Sequence, residues 1–250
     1  MSLFEHIRFA HPVLRVNNRD RNIEFYETCL GFKLVSEENA IAIFSDYGHK
    51  TSSFIIEESP SMRTRAVEGI KKVKRISVKA ENPDEIAALL ANGATAQQVF
   101  KGKKGYAYET LSPEGDLFLL HAEDDINDLQ GIARPNLPVQ PEIKGLSAYH
   151  FERIVLNVSD LAASKNFYQT VFDGQFPLKL EFVEAKGADL AVEPNVTWDL
   201  EIMECQVPKD YDLTALRDYF ISKNLAIYLD KKENILVISD PSQIEIWFVK

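Results

Sequence analysis

The chain has 250 residues, 45% of them hydrophobic, with a formal net charge of −10 and a pI near 5.1. An acidic surface repels phosphate backbones and anionic headgroups, which excludes nucleic acid and a membrane surface as partners. No run approaches the roughly 20 apolar residues of a membrane span. Met1-Ser2-Leu3-Phe4-Glu5-His6 lacks the basic start and apolar core of a signal peptide, and Cys29 and Cys205 are too few for a disulfide framework, so a cytoplasmic protein is expected.

His11–Val16 alternates apolar and polar positions at period two and predicts a strand. Asn18 stands where a helix needs an N-cap, its side-chain oxygen able to accept from an orphan N–H, so Arg19–Leu30 reads as a helix that Gly31 stops. Phe32–Val35, Ala40–Phe44 and Ser53–Glu57 follow as strands, and the basic run Arg63 to Arg75 reads as a solvated segment. Val73–Val78 opens a second unit of the same order. Pro83–Leu90 is its helix, with proline in the first turn, and Asn92-Gly93 its stop. Gln97–Phe100, Gly105–Thr110 and Leu117–His121 complete that unit, with a turn at Ser112-Pro113-Glu114-Gly115.

Pro135, Pro138 and Pro141 then stiffen an extended connection. The expected organisation is an N-terminal domain over 1–125, a Pro-rich linker over 126–150 and a C-terminal domain over 151–250. The second half offers Arg153–Val158, a helix to Phe172, Lys179–Val183 and Asp189–Glu193. Its last unit is Trp198–Cys205, a helix over Leu213–Lys223, then Ala226–Leu229, Ile235–Ile238 and Ile244–Val249. The halves share a pattern. Leu14-x-Val16, Asn18 and Phe25-Tyr26-x-Thr28 return 142 positions later as Leu156-x-Val158, Asp160 and Phe167-Tyr168-x-Thr170. The fold class is α+β, four tandem βαβββ modules in two cup-like domains.

The residues that open the first unit, His11-Pro12-Val13-Leu14-Arg15-Val16 and Phe25-Tyr26-Glu27-Thr28-Cys29-Leu30-Gly31-Phe32, resemble the vicinal oxygen chelate superfamily of glyoxalases, bleomycin-resistance proteins and extradiol dioxygenases. Ser112-Pro113-Glu114-Gly115 before the last strand of the second unit fits the same pattern. As a whole chain, with its Pro-rich joint and its ending Ile244-Glu245-Ile246-Trp247-Phe248-Val249-Lys250, it is similar to the C3-degrading proteinase (CppA) family of Gram-positive cocci. That resemblance implies proteolysis of complement C3. The superfamily implies instead a metal-dependent lyase, isomerase or dioxygenase, in which two units curl into a cup with ligands from the first and last strand of each.

On that template the metal positions are His11 and Glu57, while Val73 and Leu119 occupy the corresponding places of the second unit. Half a ligand set implies one weakly held divalent ion, Zn, Mn, Ni or Fe, with water completing its shell. His11 and Glu57 also read as a plain hydrogen-bonded pair. Strand parity adds Arg15, Arg75, Ser77 and His121 to the lining of an N-terminal cup. Two guanidinium groups there suit a small anionic molecule, bound without catalysis; each also reads as a structural ion-pair partner, the commoner role for such an arginine. The homodimer is a further partner state the chain admits.

In the second half Arg153 stands at the position of His11, and no histidine follows His150, which excludes a two-His-one-carboxylate iron site there. Glu193, Glu201 and Glu245 are read as solvated-face carboxylates. Proteolysis finds no motif: His-Glu-x-x-His and Gly-x-Ser-x-Gly are absent, and Cys29 falls on a helix behind the sheet, where a buried thiol without a base is inert.

Overall fold

The computed structural model describes residues 3–48, 53–59 and 63–250. Unit one comprises β1 (Arg8–Val16), α1 (Arg19–Leu30), β2 (Lys33–Glu38), β3 (Ile41–Ser45) and β4 (Phe54–Glu58). Unit two comprises β5 (Val73–Ala80), α2 (Pro83–Ala91), β6 (Gln98–Lys101), β7 (Tyr106–Leu111) and β8 (Leu117–His121). A 3-10 turn at Ile126–Asp128 and β9 (Gln130–Ile132) lie in the stretch expected as linker, and β9 pairs with β6. Unit three has only β10 (Tyr149–Val158), α3 (Leu161–Val171) and β11 (Lys179–Glu184). Unit four is β12 (Leu200–Gln206), α4 (Leu213–Ser222), β13 (Tyr228–Leu229), β14 (Ile235–Ser239) and β15 (Glu245–Val249).

The repeat is built as its caps predict. Asn18 (φ −133°, ψ 105°) accepts from the Arg21 N–H, and Asp160 (φ −134°, ψ 100°) accepts from the Ala163 N–H. The Phe25–Tyr26 and Phe167–Tyr168 ring pairs have the same 5.2 Å centroid spacing at 76° and 79°. One strand expectation fails. Asp189–Glu193 is turn rather than strand, because Asp189 turns away to hold Arg65 in a two-point ion pair with both N···O distances at 2.7 Å. Only residues 172–178 connect α3 to β11, whereas 31–53 connect α1 to β4 through two further strands.

How the units pair departs from the expectation of one cup per half. β1 pairs antiparallel with β12 and parallel with β4, in a sheet ordered β13-β14-β15-β12-β1-β4-β3-β2. β5 pairs antiparallel with β10 and parallel with β8, in a sheet ordered β11-β10-β5-β8-β7-β6-β9. Each cup therefore takes one unit from each half: units one and four form the first, units two and three the second. The core joins everything, since one buried cluster runs from Phe4 through Tyr26, Phe54, Phe118 and Phe151 to Phe248.

The segment before unit two is exposed over most of 63–70, as a solvated run should be, but its end at Lys71 and Lys72 is held in the fold. Lys71 meets Asp116 at 2.5 Å, and Lys72 is 3% exposed with its ammonium on the Val192 carbonyl. The end of the linker is clamped to units one and two. The Leu146 N–H donates to the Gly31 carbonyl and the Ser147 N–H to Glu85. Glycine is required at 145, where a Cβ would lie 2.4 Å from the Gly31 oxygen and 2.5 Å from the Tyr47 ring.

Candidate functional site

The first cup is organised by the sequence around Pro12. Proline contributes no ladder N–H, so it sits beside an irregularity, and β1 carries a register shift between Phe9 and His11. That shift sets His11 opposite Glu204 of β12. His11 Nδ1 lies 2.6 Å from Ser53 Oγ, and Nε2 faces Glu204 Oε2 at 3.7 Å, beyond hydrogen-bond distance. Glu204 is flanked on its other side by Trp247 of β15, whose indole N–H is committed to Glu245 at 2.7 Å. The four strand positions at this level are thus His11, Ser53, Glu204 and Trp247.

His11 is 4% exposed, and its Nε2 is a buried polar atom without a hydrogen bond. Burial pulls the imidazole down to about 4 and raises the Glu204 carboxyl. The imidazole is therefore neutral at pH 7, and Ser53 fixes its tautomer if Nδ1 carries the proton. Its Nε2 lone pair then points at a carboxylate. Two acceptors face each other across a gap that suits a cation, so the donor set fits a divalent ion with two protein ligands and not a closed centre. Among the described residues no group of three or more His, Cys, Asp and Glu side chains could hold a metal.

The depressed His11 pKa has a consequence for stability. A group held below its unfolded value contributes stability that is complete above about 6.5 and is lost as pH falls toward 4. The loss amounts to roughly 3 kcal/mol across that interval, partly offset by Glu204, whose shift has the opposite sign. His11→Gln is expected to flatten this slope in urea titrations run at pH 7, 6, 5 and 4; an unchanged slope would refute the buried neutral imidazole.

Glu57, expected beside His11, lies elsewhere. The parallel register sets it opposite Arg15, four residues and about 13 Å further along the strand. The error is one of strand register: Ser53, not Glu57, is level with His11. Of the two readings of Arg15, the structural ion pair holds and the free anion receptor does not. Its Nε meets Glu201 at 2.7 Å and its NH2 meets Glu57 at 3.3 Å, while it donates to Ser59 (2.8 Å) and Asn195 (2.6 Å). Glu201, read as solvated, is 5% exposed. With these four partners the guanidinium ties β1, β4 and β12 together.

Arg75, Ser77 and His121 belong to the second cup. Ser77 is opposite Arg153 and level with Leu119, and Arg153 is level with Lys179. The positions equivalent to His11, Ser53, Glu204 and Trp247 are therefore Arg153, Lys179, Ser77 and Leu119, with Ser77 in the place assigned to Val73. Those four equivalent positions carry no His–carboxylate pair. Arg75 pairs with Glu109 at 3.2 Å, Arg153 with Glu181 at 2.6 Å, and His121 Nε2 faces Glu152 at 3.3 Å. The single lining of six residues is thus divided between two sheets.

Both thiols are buried. Cys29 contacts Thr95 Oγ1 at 3.1 Å behind the sheet, and burial pushes the Cys205 thiol upward. Cys29→Ala is expected to cost about 1–3 kcal/mol in chemical denaturation while leaving ligand binding in either cup unchanged.

Strand order, paired cups and the inward His–Glu pair define a tandem glyoxalase-fold protein of the vicinal oxygen chelate type. A glyoxalase I mutant from Zea mays superposes with a TM-score of 0.60 at 15% identity, over 98% of this chain and 94% of that one. A putative dioxygenase from Bacillus subtilis does so at 0.61 and 13%, over 98% and 85%. A putative lactoylglutathione lyase from Brassica oleracea is 42% identical over 55 residues, a fifth of each protein's length. The CppA N-terminal family pattern matches residues 9–132 and the CppA C-terminal pattern residues 146–248. The cppA protein from Streptococcus pneumoniae is similar throughout: 34% identity, 98% of both chains and a TM-score of 0.82. The chain belongs to the CppA family.

Proposed function

We propose that the first cup holds one divalent metal ion between His11 Nε2 and the Glu204 carboxylate, and acts on a small oxygen-rich substrate as a glyoxalase-like lyase or isomerase. The observation that carries this reading is the buried, unbonded Nε2 aimed at Glu204. When bound, such an ion polarises a substrate oxygen and stabilises the charge that develops on it. The chain's own residues do the rest. Ser53 orients the imidazole by occupying Nδ1, Trp247 walls one side, and the Arg15–Glu201–Glu57 network fixes the spacing of the strands beneath. Two protein ligands imply weak affinity, with water or substrate in the remaining positions.

Titrating zinc, manganese and nickel into the whole chain by calorimetry tests this. Wild type is expected to bind one ion, and His11→Ala and Glu204→Gln to lose at least tenfold in affinity, since a lost ligand costs more than about 1.4 kcal/mol. Glu57→Gln should bind as wild type does. Equal binding by wild type and His11→Ala would remove the site.

Proteolysis of complement C3, carried by the resemblance to the C3-degrading proteinases, is the second reading. One observation favours it: Ser53 hydroxyl, His11 imidazole and Glu204 carboxylate follow one another across the same ring. A base held near pKa 4 is poorly matched to activating a hydroxyl at neutral pH, which places this reading second. Ser53→Ala separates the two. It should abolish cleavage of purified C3 if Ser53 is a nucleophile, and lower metal affinity only modestly if Ser53 merely orients His11.

A further inference from the structure

The four edge strands of the two sheets are not alike. β13 and β9 have two and three residues, and β2 carries a register shift between Leu34 and Ser36 with charges at Lys33, Glu37 and Glu38. Short length, bulges and charge are the usual ways of blunting an edge. β11 has six residues and runs in unbroken register beside β10 from Arg153↔Lys179 to Val158↔Glu184. In the other three units the last strand has an antiparallel neighbour on its outer side: β3 on β4, β7 on β8, β14 on β15. Unit three lacks that strand, and β11 ends its sheet.

What the missing strands would cover is open. A groove of about 810 Å³ runs between α3 and β11, lined by Tyr168, Phe176, Leu178, Leu180 and Phe182 among polar residues. The Tyr168 ring meets Phe176 edge-on at 5.1 Å and lies tilted against Phe182 at 5.3 Å, so the groove is a formed apolar surface beside an open backbone edge. Such an edge takes an added antiparallel strand through main-chain hydrogen bonds, with alternate side chains setting the register.

The sequence of β11 suits itself. Antiparallel pairing of two copies about a two-fold axis at Leu180 sets Lys179 opposite Glu181 of the second copy, and the reverse, on the cup side. On the helix side it sets Leu180 against Leu180 and Phe182 against Leu178, the residue that immediately precedes the strand. Opposite charges directly across an antiparallel pair are favourable and like charges are not. A two-fold interface of this kind is closed, using the same patch on both subunits. We propose that β11 is a homodimerisation edge, joining the second cups of two chains into one continuous sheet with both α3 helices on the same face.

Analytical ultracentrifugation of the whole chain over a concentration series tests the proposal, with three variants. Lys179→Glu and Glu181→Lys each set like charges across the axis twice and are expected to weaken the dimer about tenfold or more. Mixing the two variants puts two acidic side chains on one chain opposite two basic ones on the other. A heterodimer of wild-type strength is therefore expected from two chains that each dimerise poorly. Leu180→Asp should give a folded monomer, with folding confirmed by unchanged far-UV circular dichroism. A wild-type chain that stays monomeric throughout the series overturns the proposal. So does a dimer that all these variants leave intact, since it must use another surface.

Discussion

Arg15→Met is expected to cost the fold about 3–5 kcal/mol, the loss typical of removing one partner from a buried ion pair. The side chain of Arg15 is 5% exposed and that of Glu201 6%, so the substitution leaves the Glu201 carboxylate in the interior with, among the described residues, the Asn195 N–H as its hydrogen-bond partner. Glu57, at 33%, can turn to solvent and contributes little to the loss. The second substitution Glu201→Gln should recover a large part of the stability, because it removes the stranded charge. Urea denaturation of the two single variants and the double variant at pH 7 measures the coupling. A loss below about 1 kcal/mol in Arg15→Met, the range of an exposed pair, would mean that the guanidinium is not the tie between β1, β4 and β12, and would reopen its use as an anion receptor.

Phe54→Ala is expected to remove about 3–5 kcal/mol, and to do so for the whole molecule at once. Phe54 is fully buried, with ring centroids 4.7 Å from Tyr26, 5.5 Å from Phe32, 5.8 Å from Phe44, 6.5 Å from Phe118 and 5.7 Å from Phe151. Those partners come from units one, two and three, so the ring bridges both halves of the chain. Both tryptophans, Trp198 and Trp247, belong to the second half. If the cups are built across the halves, tryptophan fluorescence and far-UV circular dichroism should shift together in Phe54→Ala as one transition. Fluorescence that keeps its wild-type midpoint while the circular dichroism midpoint falls would show halves that fold independently.

The candidate site was partly legible before the structure. His11 follows from its place on a period-two strand and from the motif it opens, and the structure puts it on the inner face of the first cup. Its partner did not follow. Glu204 lies 193 positions away, and in Leu200–Gln206 it is one carboxylate alternating with buried Met203 and Cys205, no different on paper from Glu201 or Glu245. Glu57 was the natural choice within the same unit, yet a parallel register cannot be counted from strand ends whose positions are known only to a residue or two. That Arg15 is an ion-pair residue could be weighed from sequence, but its partners could not be named, because they are spread from Glu57 to Glu201. The second cup's substitutions, Arg153 for His11 and Lys179 for Ser53, are visible only once the pairings β5–β10 and β10–β11 are known.

What the sequence determined by itself is local. Period-two alternation, the Asn18 and Asp160 caps, the Gly31 stop and the repeat at 142 positions specify each strand–helix unit, because hydrogen bonding and side-chain parity act within a few residues. Which unit shares a sheet with which is a different kind of question. β1 could in principle be flanked by β5 of its own half or by β12 of the other, as both are apolar first strands of the same type. The choice is made by surfaces that meet only when the whole chain is packed: the Phe54 ring cluster, the clamp of residues 145–148 on unit one, and the buried Arg15–Glu201 pair. The tertiary structure alone therefore decided that the first cup is closed by unit four, and with it that His11 faces Glu204.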